Sequence, residues 1–315
     1  MKYAFVFPGQ GSQSVGMLAD LNQTYSIVKD TFDEASEILG YDLWKLAQEG
    51  PKEQLNQTEK TQPALLASGV AVWRIWQTQV DAKTLSSVMA GHSFGEYTAL
   101  VCASALDFKD AVSLAQDRGR FMQAAVSEGE GAMAAILALK DEQIIEICAS
   151  VAKNENQVVS PVNFNAPGQV VIAGHRAAVE SAITQAKAAG AKKAVLLQVS
   201  VPAHSSLMLP AAERMAERLA SVNITTPKIP VIHNVDVSVK TNPADIKTAL
   251  IRQLHNPVRW VETIEKMVDD GVTLLFESGP GKVLTALNKR IARRTMKALP
   301  IIDTKTLDQA LLEIA

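Results

Sequence analysis

This sequence is short of the features that would place it quickly in several classes. It has two cysteines among 315 residues, Cys102 and Cys148. That number excludes a disulfide framework, and their spacing matches no metal motif. The formal net charge is only −2, which leaves no overall attraction to nucleic acid or to an anionic membrane. A charged partner would have to be read by a local patch. The longest apolar stretch, residues 64–73, contains Ser68 and Gly69 and falls well short of the ~20 residues that a membrane helix needs. The opening segment breaks at Pro8-Gly9 too early for a signal peptide, so the cytoplasm is the expected compartment. There are no internal repeats and no low-complexity tract. What is present is ordinary for a soluble globular protein: 47% hydrophobic and 20% charged residues. The length allows one large domain, or a large domain with a smaller companion.

The most informative segment is Gly91-His92-Ser93-Phe94-Gly95. It follows an apolar run, residues 85–90, and precedes a helix-like stretch, residues 96–105. Strand, sharp turn and helix are the setting of a nucleophile elbow. Glycines allow the tight bend, the serine hydroxyl is lifted clear of the sheet, and the amide of Phe94 opens a helix. An oxyanion forming there would meet an unpaired N–H. These residues point to a serine-nucleophile acyl enzyme. The alternative is a glycine-rich turn whose serine caps the helix.

Around this segment the periodicity predicts a strand over 3–7, helices over 25–39, 63–79 and 108–125, and a break at Gly129 and Gly131. Residues 132–199 then read strand (132–139), helix (141–154), strand (158–165), strand (169–173), helix (176–189) and strand (193–199). That β-α-β-β-α-β order is ferredoxin-like. Helix and strand alternate again over 210–221, 229–234, 243–254, 258–269 and 272–277, followed by a basic helix over 282–297. The expected architecture is α/β: a hydrolase-like domain on a central, mainly parallel sheet, 1–127 and 203–315, carrying an inserted ferredoxin-like domain, 128–202.

A serine nucleophile needs a base. Of the five histidines, His92 sits within the turn and reads as its support. His175 reads as surface, and His233 and His255 as packed or capping residues. His204 is the best placed, in the proline-fixed loop Val201-Pro202-Ala203-His204 where the chain returns to the large domain, although spacing alone does not separate it from the others. Gly9-Gln10-Gly11 lacks the third glycine and the later acid of a dinucleotide fingerprint, and Gly279-Pro280-Gly281-Lys282 lacks the spacing of a P-loop. Both read as strand-to-helix turns. The first has an alternative role as a second oxyanion donor, because a glycine-rich loop at a strand end exposes backbone amides.

Taken together, Phe7-Pro8-Gly9-Gln10-Gly11-Ser12-Gln13, Gly91-His92-Ser93-Phe94-Gly95-Glu96-Tyr97, Arg118-Gly119, Val201-Pro202-Ala203-His204, Gln253-Leu254 and Phe276-Glu277-Ser278-Gly279-Pro280-Gly281 resemble the bacterial malonyl-CoA:acyl carrier protein transacylases, in order and over essentially the whole chain. The resemblance implies a Ser-His dyad. Ser93 would be the nucleophile, His204 the base, and Gln253 the residue that orients the imidazole through its backbone carbonyl. Amides of Gln10 and Phe94 would form the oxyanion hole. Arg118 would hold the malonyl carboxylate, with Gln10 and Met122 counted in the substrate pocket. Phe94 departs from the leucine or valine of many relatives, but only its amide is needed.

The resemblance further implies malonyl-CoA and acyl carrier protein as partners, transfer through a malonyl-serine, and no metal or other cofactor. Lys192 and Lys193 are candidates for the coenzyme A phosphates. Lys289, Arg290, Arg293, Arg294 and Lys297, read on the late basic helix, are candidates for an acidic carrier. Solvated lysines and helix-dipole complements remain an equal reading for each. Two rivals stay open: an esterase or thioesterase with the same Ser-His chemistry, and a non-catalytic nucleotide-binding or scaffold protein resting on the glycine loops.

Overall fold

The computed structural model describes residues 2–81, 86–199 and 201–314. Among the described residues the strands are β1 (Tyr3–Phe7), β2 (Val88–Gly91), β3 (Gly131–Leu137), β4 (Val159–Ala166), β5 (Gln169–His175), β6 (Lys193–Leu196), β7 (Val231–Ile232), β8 (Leu274–Ser278) and β9 (Lys297–Ile301). The central sheet has the order β7-β2-β1-β8-β9, with every neighbouring pair parallel. β1 and β8 are buried along their whole length, which is why β1 and the Leu274-Leu275-Phe276 start of β8 read as apolar runs rather than alternations. Phe7 pairs with Gly91, so β1 and β2 end side by side. The loops that follow them therefore meet at the carboxyl ends of the strands, where open α/β sheets place their sites.

One face of the sheet packs on the helix Thr58–Gln79. Phe5 meets Trp73 and Trp76 edge-on, with ring centroids 5.0 and 5.1 Å apart. That helix starts before the predicted residue 63. Pro63 lies inside it as its sixth residue, where it removes the hydrogen bond to the Glu59 carbonyl. Burial of nearly every side chain from Thr58 to Trp76 outweighs that loss.

The small sheet, ordered β4-β5-β3-β6, is antiparallel throughout and carries the helices Asp141–Glu155 and Arg176–Ala188. This is the predicted β-α-β-β-α-β arrangement, with its own core of Ile136, Ile144, Val151, Ile172 and Val179. β4 is stitched to the large domain by Phe164 N–H to the Val258 carbonyl (3.0 Å) and Val258 N–H to the Val162 carbonyl (2.8 Å). A cleft lies between the two sheets.

The late helix corrects an expectation. It covers Val283–Ile291 instead of 282–297, and Lys297 opens β9. Lys289 and Arg290 are on the helix, Arg293 and Arg294 lie in the turn after it, and Lys297 pairs with Glu313 at 2.5 Å. The basic residues hide an edge strand that buries Ala298 and Ile301 beside β8, with Met296 buried just before it. Pro300 is compatible with that edge position. The short helix Thr304–Leu312, capped by Asp303, was also not foreseen. Of the run 85–90, Leu85 lies outside the described residues, as does Ser200 in the loop before His204.

Candidate active site

The turn between β2 and the helix Gly95–Cys102 is tightly enclosed. A Cβ on Gly91 would lie 1.8 Å from the Gly95 carbonyl carbon, and one on Gly95 would lie 2.1 Å from the Phe7 carbonyl oxygen. Both positions therefore require glycine. Ser93 sits at φ 52°, a left-handed backbone that a serine adopts only when its surroundings impose it. The imposing groups are Asn234 and Gln253. Ser93 N–H donates to Asn234 Oδ1 (2.7 Å), Asn234 Nδ2 donates to the Gly91 carbonyl (2.7 Å), and Gln253 Nε2 donates to the Ser93 carbonyl (3.0 Å). The amide of Phe94 has no partner among the described residues and stands at the helix start beside the serine. On the other side, Gly9 approaches so closely that a Cβ there would lie 2.6 Å from the His92 carbonyl oxygen. This contact brings the loop containing Gln10 against the serine turn.

Ser93 Oγ lies 2.7 Å from His204 Nε2. His204 is 2% exposed, has φ 65°, and is held by its backbone N–H on the Leu254 carbonyl (2.9 Å). Its Nδ1 lies 2.7 Å from the Gln253 main-chain oxygen, so the proton is on Nδ1 and Nε2 faces the serine with its lone pair. Burial, and secondly the Arg118 guanidinium, push the imidazole pKa down to about 3. It is therefore neutral and able to accept a proton at physiological pH.

Arg118, in the helix Phe108–Ala124, is 1% exposed. Its Nη2 donates to Gln253 Oε1 (3.0 Å), and its guanidinium lies 5.8 and 5.6 Å from the ring centroids of Phe94 and Tyr97. It forms no salt bridge among the described residues, and its Nε has no partner. Burial lowers its pKa. An arginine kept dry without a carboxylate of its own is suited to receive one.

A cavity of about 390 Å³ opens onto these groups. Gln10, Ser93, Phe94, Arg118, Met122 and His204 all line it. Gln253 stands behind it. Lys192 and Lys193 do not reach it: they are exposed at the start of β6, whereas the chain enters the cavity wall only at Leu197, roughly 13 Å further along an extended strand.

The chain matches the acyl transferase domain model over residues 4–309. The malonyl CoA-acyl carrier protein transacylase of Escherichia coli (strain K12) is 58% identical over 290 residues, 92% of this chain and 93% of that protein. The chain belongs to the malonyl CoA-acyl carrier protein transacylase family. A crystal structure of the acyl carrier protein S-malonyltransferase from Vibrio cholerae superimposes with a TM-score of 0.94 at 57% identity, covering 98% of this chain and 99% of that one. A malonyl-transacylase solved in complex with its type II PKS acyl-carrier protein superimposes with a TM-score of 0.96 at 54% identity, covering 99% and 100%.

In this transacylase-family chain, sequence reasoning missed the acid behind the site. Glu96, fully buried, accepts from His233 Nδ1 (2.7 Å), Asn234 N–H (2.9 Å) and Gln253 Nε2 (3.0 Å). One carboxyl group thereby holds the Asn234 backbone and the Gln253 side-chain amide, the two residues whose side chains brace the serine turn and, for Gln253, Arg118. The only signal was an acid opening an otherwise apolar helix. Asn165, on β4, was also missed. It holds His92 Nε2 at 2.7 Å, and His92 in turn lies against Trp260. Among the described residues no cluster of three or more His, Cys, Asp or Glu could hold a metal ion, and no helix is long and apolar enough to cross a membrane.

Proposed function

We propose that this chain transfers the malonyl group from malonyl-CoA to the phosphopantetheine thiol of acyl carrier protein, supplying extender units for fatty acid synthesis, with Ser93 as nucleophile and His204 as base. The observation that carries the assignment is the 2.7 Å contact of Ser93 Oγ with Nε2 of a buried, neutral His204, in a cavity shared with Arg118, which has no carboxylate partner among the described residues. Family membership supports the substrate and the carrier.

In the proposed sequence Ser93 Oγ attacks the thioester carbonyl carbon while its proton passes to His204 Nε2. The oxyanion is received by the amides of Phe94 and Gln10. As the intermediate collapses, the C–S bond breaks and the coenzyme A sulfur takes the proton from His204. The malonyl-Ser93 ester remains, its carboxylate on Arg118. The carrier thiol then gives its proton to His204 and attacks the ester carbonyl, and Ser93 leaves with the proton returned. Every step is an acyl or proton transfer, so the scheme calls for no metal or redox group. Met122 forms part of the acyl pocket wall. Residues 1–127 with 203–315 act as the catalytic domain, and 128–202 as the inserted one that closes the cleft. The cytoplasm is the proposed compartment, in keeping with two buried free thiols.

Intact mass after mixing with malonyl-CoA tests the assignment. One malonyl adduct should form, map to Ser93, and be absent in Ser93→Ala. An adduct that persists in Ser93→Ala removes the nucleophile.

A further inference from the structure

Gln62, Arg118 and Asn163 line the same cavity and each has a buried polar atom without a partner; those of Gln62 and Arg118 are complementary and sit on two helices that cross. Gln62 is 1% exposed and lines the cavity from the helix Thr58–Gln79. Its Nε2 has only the thioether of Met122, at 3.7 Å, and its Oε1 has nothing. Arg118 Nε likewise has no hydrogen bond, although the guanidinium also faces the Tyr97 hydroxyl, itself a buried group without a hydrogen bond. Gln62 Oε1 is an acceptor and Arg118 Nε a donor. Orphaned buried groups of this kind are costly and rare enough to need an explanation.

Helix packing places them on one wall. At Gly119 the helix Phe108–Ala124 crosses the start of the helix Thr58–Gln79 so closely that a Cβ would lie 2.5 Å from Glu59 Cα. Arg118 precedes that crossing and Met122 follows it by one turn. Gln62 lies one turn beyond Glu59, against Met122. Arg118 is fastened at its other edge, by Nη2 on Gln253 Oε1. An incoming carboxylate would occupy the Nη edge of the fork and compete for that bond.

We propose that Gln62 is a positioning residue for Arg118: its Oε1 accepts from Arg118 Nε when the guanidinium takes up the substrate carboxylate, fixing the plane of the fork. The proposal rests on the reading of Arg118 as the carboxylate partner. It makes Gln62 a determinant of acyl selectivity that acts through Arg118 without touching the reacting atoms.

The test compares kcat/KM for malonyl-CoA and acetyl-CoA in the wild type, Gln62→Met, Arg118→Ala and the double variant, with pantetheine as acceptor. Gln62→Met conserves volume and removes the amide. It should lower the malonyl-to-acetyl ratio about ten- to a hundredfold, the equivalent of one hydrogen bond to a charged group, chiefly through KM. In the Arg118→Ala background it should lower that ratio no further. Equal losses for both acyl groups, or the same loss of ratio without Arg118, overturn the proposal. Gln62→Glu provides the second arm. Its carboxylate would engage Arg118 from the same position, so malonyl transfer should fall further than in Gln62→Met, and wild-type malonyl transfer in this variant also overturns the proposal. An Arg118→Ala enzyme with the wild-type ratio fails differently: it removes the reading of Arg118, and the role of Gln62 with it.

Discussion

His204 Nδ1 meets the main-chain oxygen of Gln253 at 2.7 Å, where a hydrolase triad would put a carboxylate. The neutral carbonyl sets the tautomer and orientation of the ring, but it offers less to an imidazolium than an acid would. The same residue presents its side-chain oxygen to Arg118 at 3.0 Å. Gln253 therefore orients the His204 imidazole with its backbone and the guanidinium with its side chain, and Glu96 behind it decides which way the amide faces.

The pH dependence follows from His204. Burial and Arg118 hold its pKa near about 3, below the ordinary ~6.5. The neutral form is the reactive one, so the rate of malonyl-serine formation should show no acid limb near pH ~6.5. Single-turnover acylation measured from about pH 5 to 8 checks this; an inflection near the ordinary histidine value contradicts the depressed pKa. Stability carries the same sign. The unfolded chain binds this proton below ~6.5 and the native chain does not until about 3, so the contribution is fully present above ~6.5 and is lost as pH falls through that window.

Arg118→Ala should leave the Ser93–His204 contact in place and strand the malonyl carboxylate in a dry pocket. Breaking a buried charge pair costs ~3–5 kcal/mol, so malonyl kcat/KM should fall roughly a hundredfold to several thousandfold. Acetyl transfer should be kept or should rise, and Arg118→Lys should recover only part of the loss, because lysine has no fork. Equal losses for malonyl and acetyl would remove the carboxylate role.

The malonyl-Ser93 ester should pass to a thiol far faster than to water. Its serine lies in a cavity of about 390 Å³ whose base is 2% exposed. The decay of purified adduct is to be followed with and without carrier protein. Equal rates would favour the thioesterase reading of the same dyad.

Gly95→Ala should cost at least ~3 kcal/mol in urea unfolding, because its Cβ meets the Phe7 carbonyl oxygen at 2.1 Å and a backbone atom cannot step aside. Gly11→Ala, at φ 105° with open space around it, should cost only ~1–2 kcal/mol for its backbone conformation. Similar losses at the two sites would mean that the elbow is not sterically enforced.

Local pattern carried much of this protein. The elbow with Ser93 and Phe94 and the β-α-β-β-α-β insert are legible along the chain, because glycine constraints and hydrophobic period are local properties; Gln10, Arg118, Met122, His204 and Gln253 are singled out through the resemblance to a known family. Where local rules competed with packing, they misled. Pro63 suggests a helix start but lies inside a helix whose burial outweighs one lost hydrogen bond. The basic run 289–297 suggests one helix but turns into the edge strand β9, because Ala298 and Ile301 bury beside β8.

What only the tertiary structure decided is which distant groups share a low-dielectric space. Sequence alone could not choose His204 among five histidines. The choice follows from a loop folded so that its imidazole stands between Ser93 and the Gln253 carbonyl. Nor could it make Glu96, Asn234 and Gln253 one network, or leave Arg118 Nε and Gln62 Oε1 unpaired in one wall. Residue type states what a group can donate or accept. Burial and partners, set by contacts across more than a hundred residues of chain, decide its charge, its tautomer and whether it is left free for a substrate.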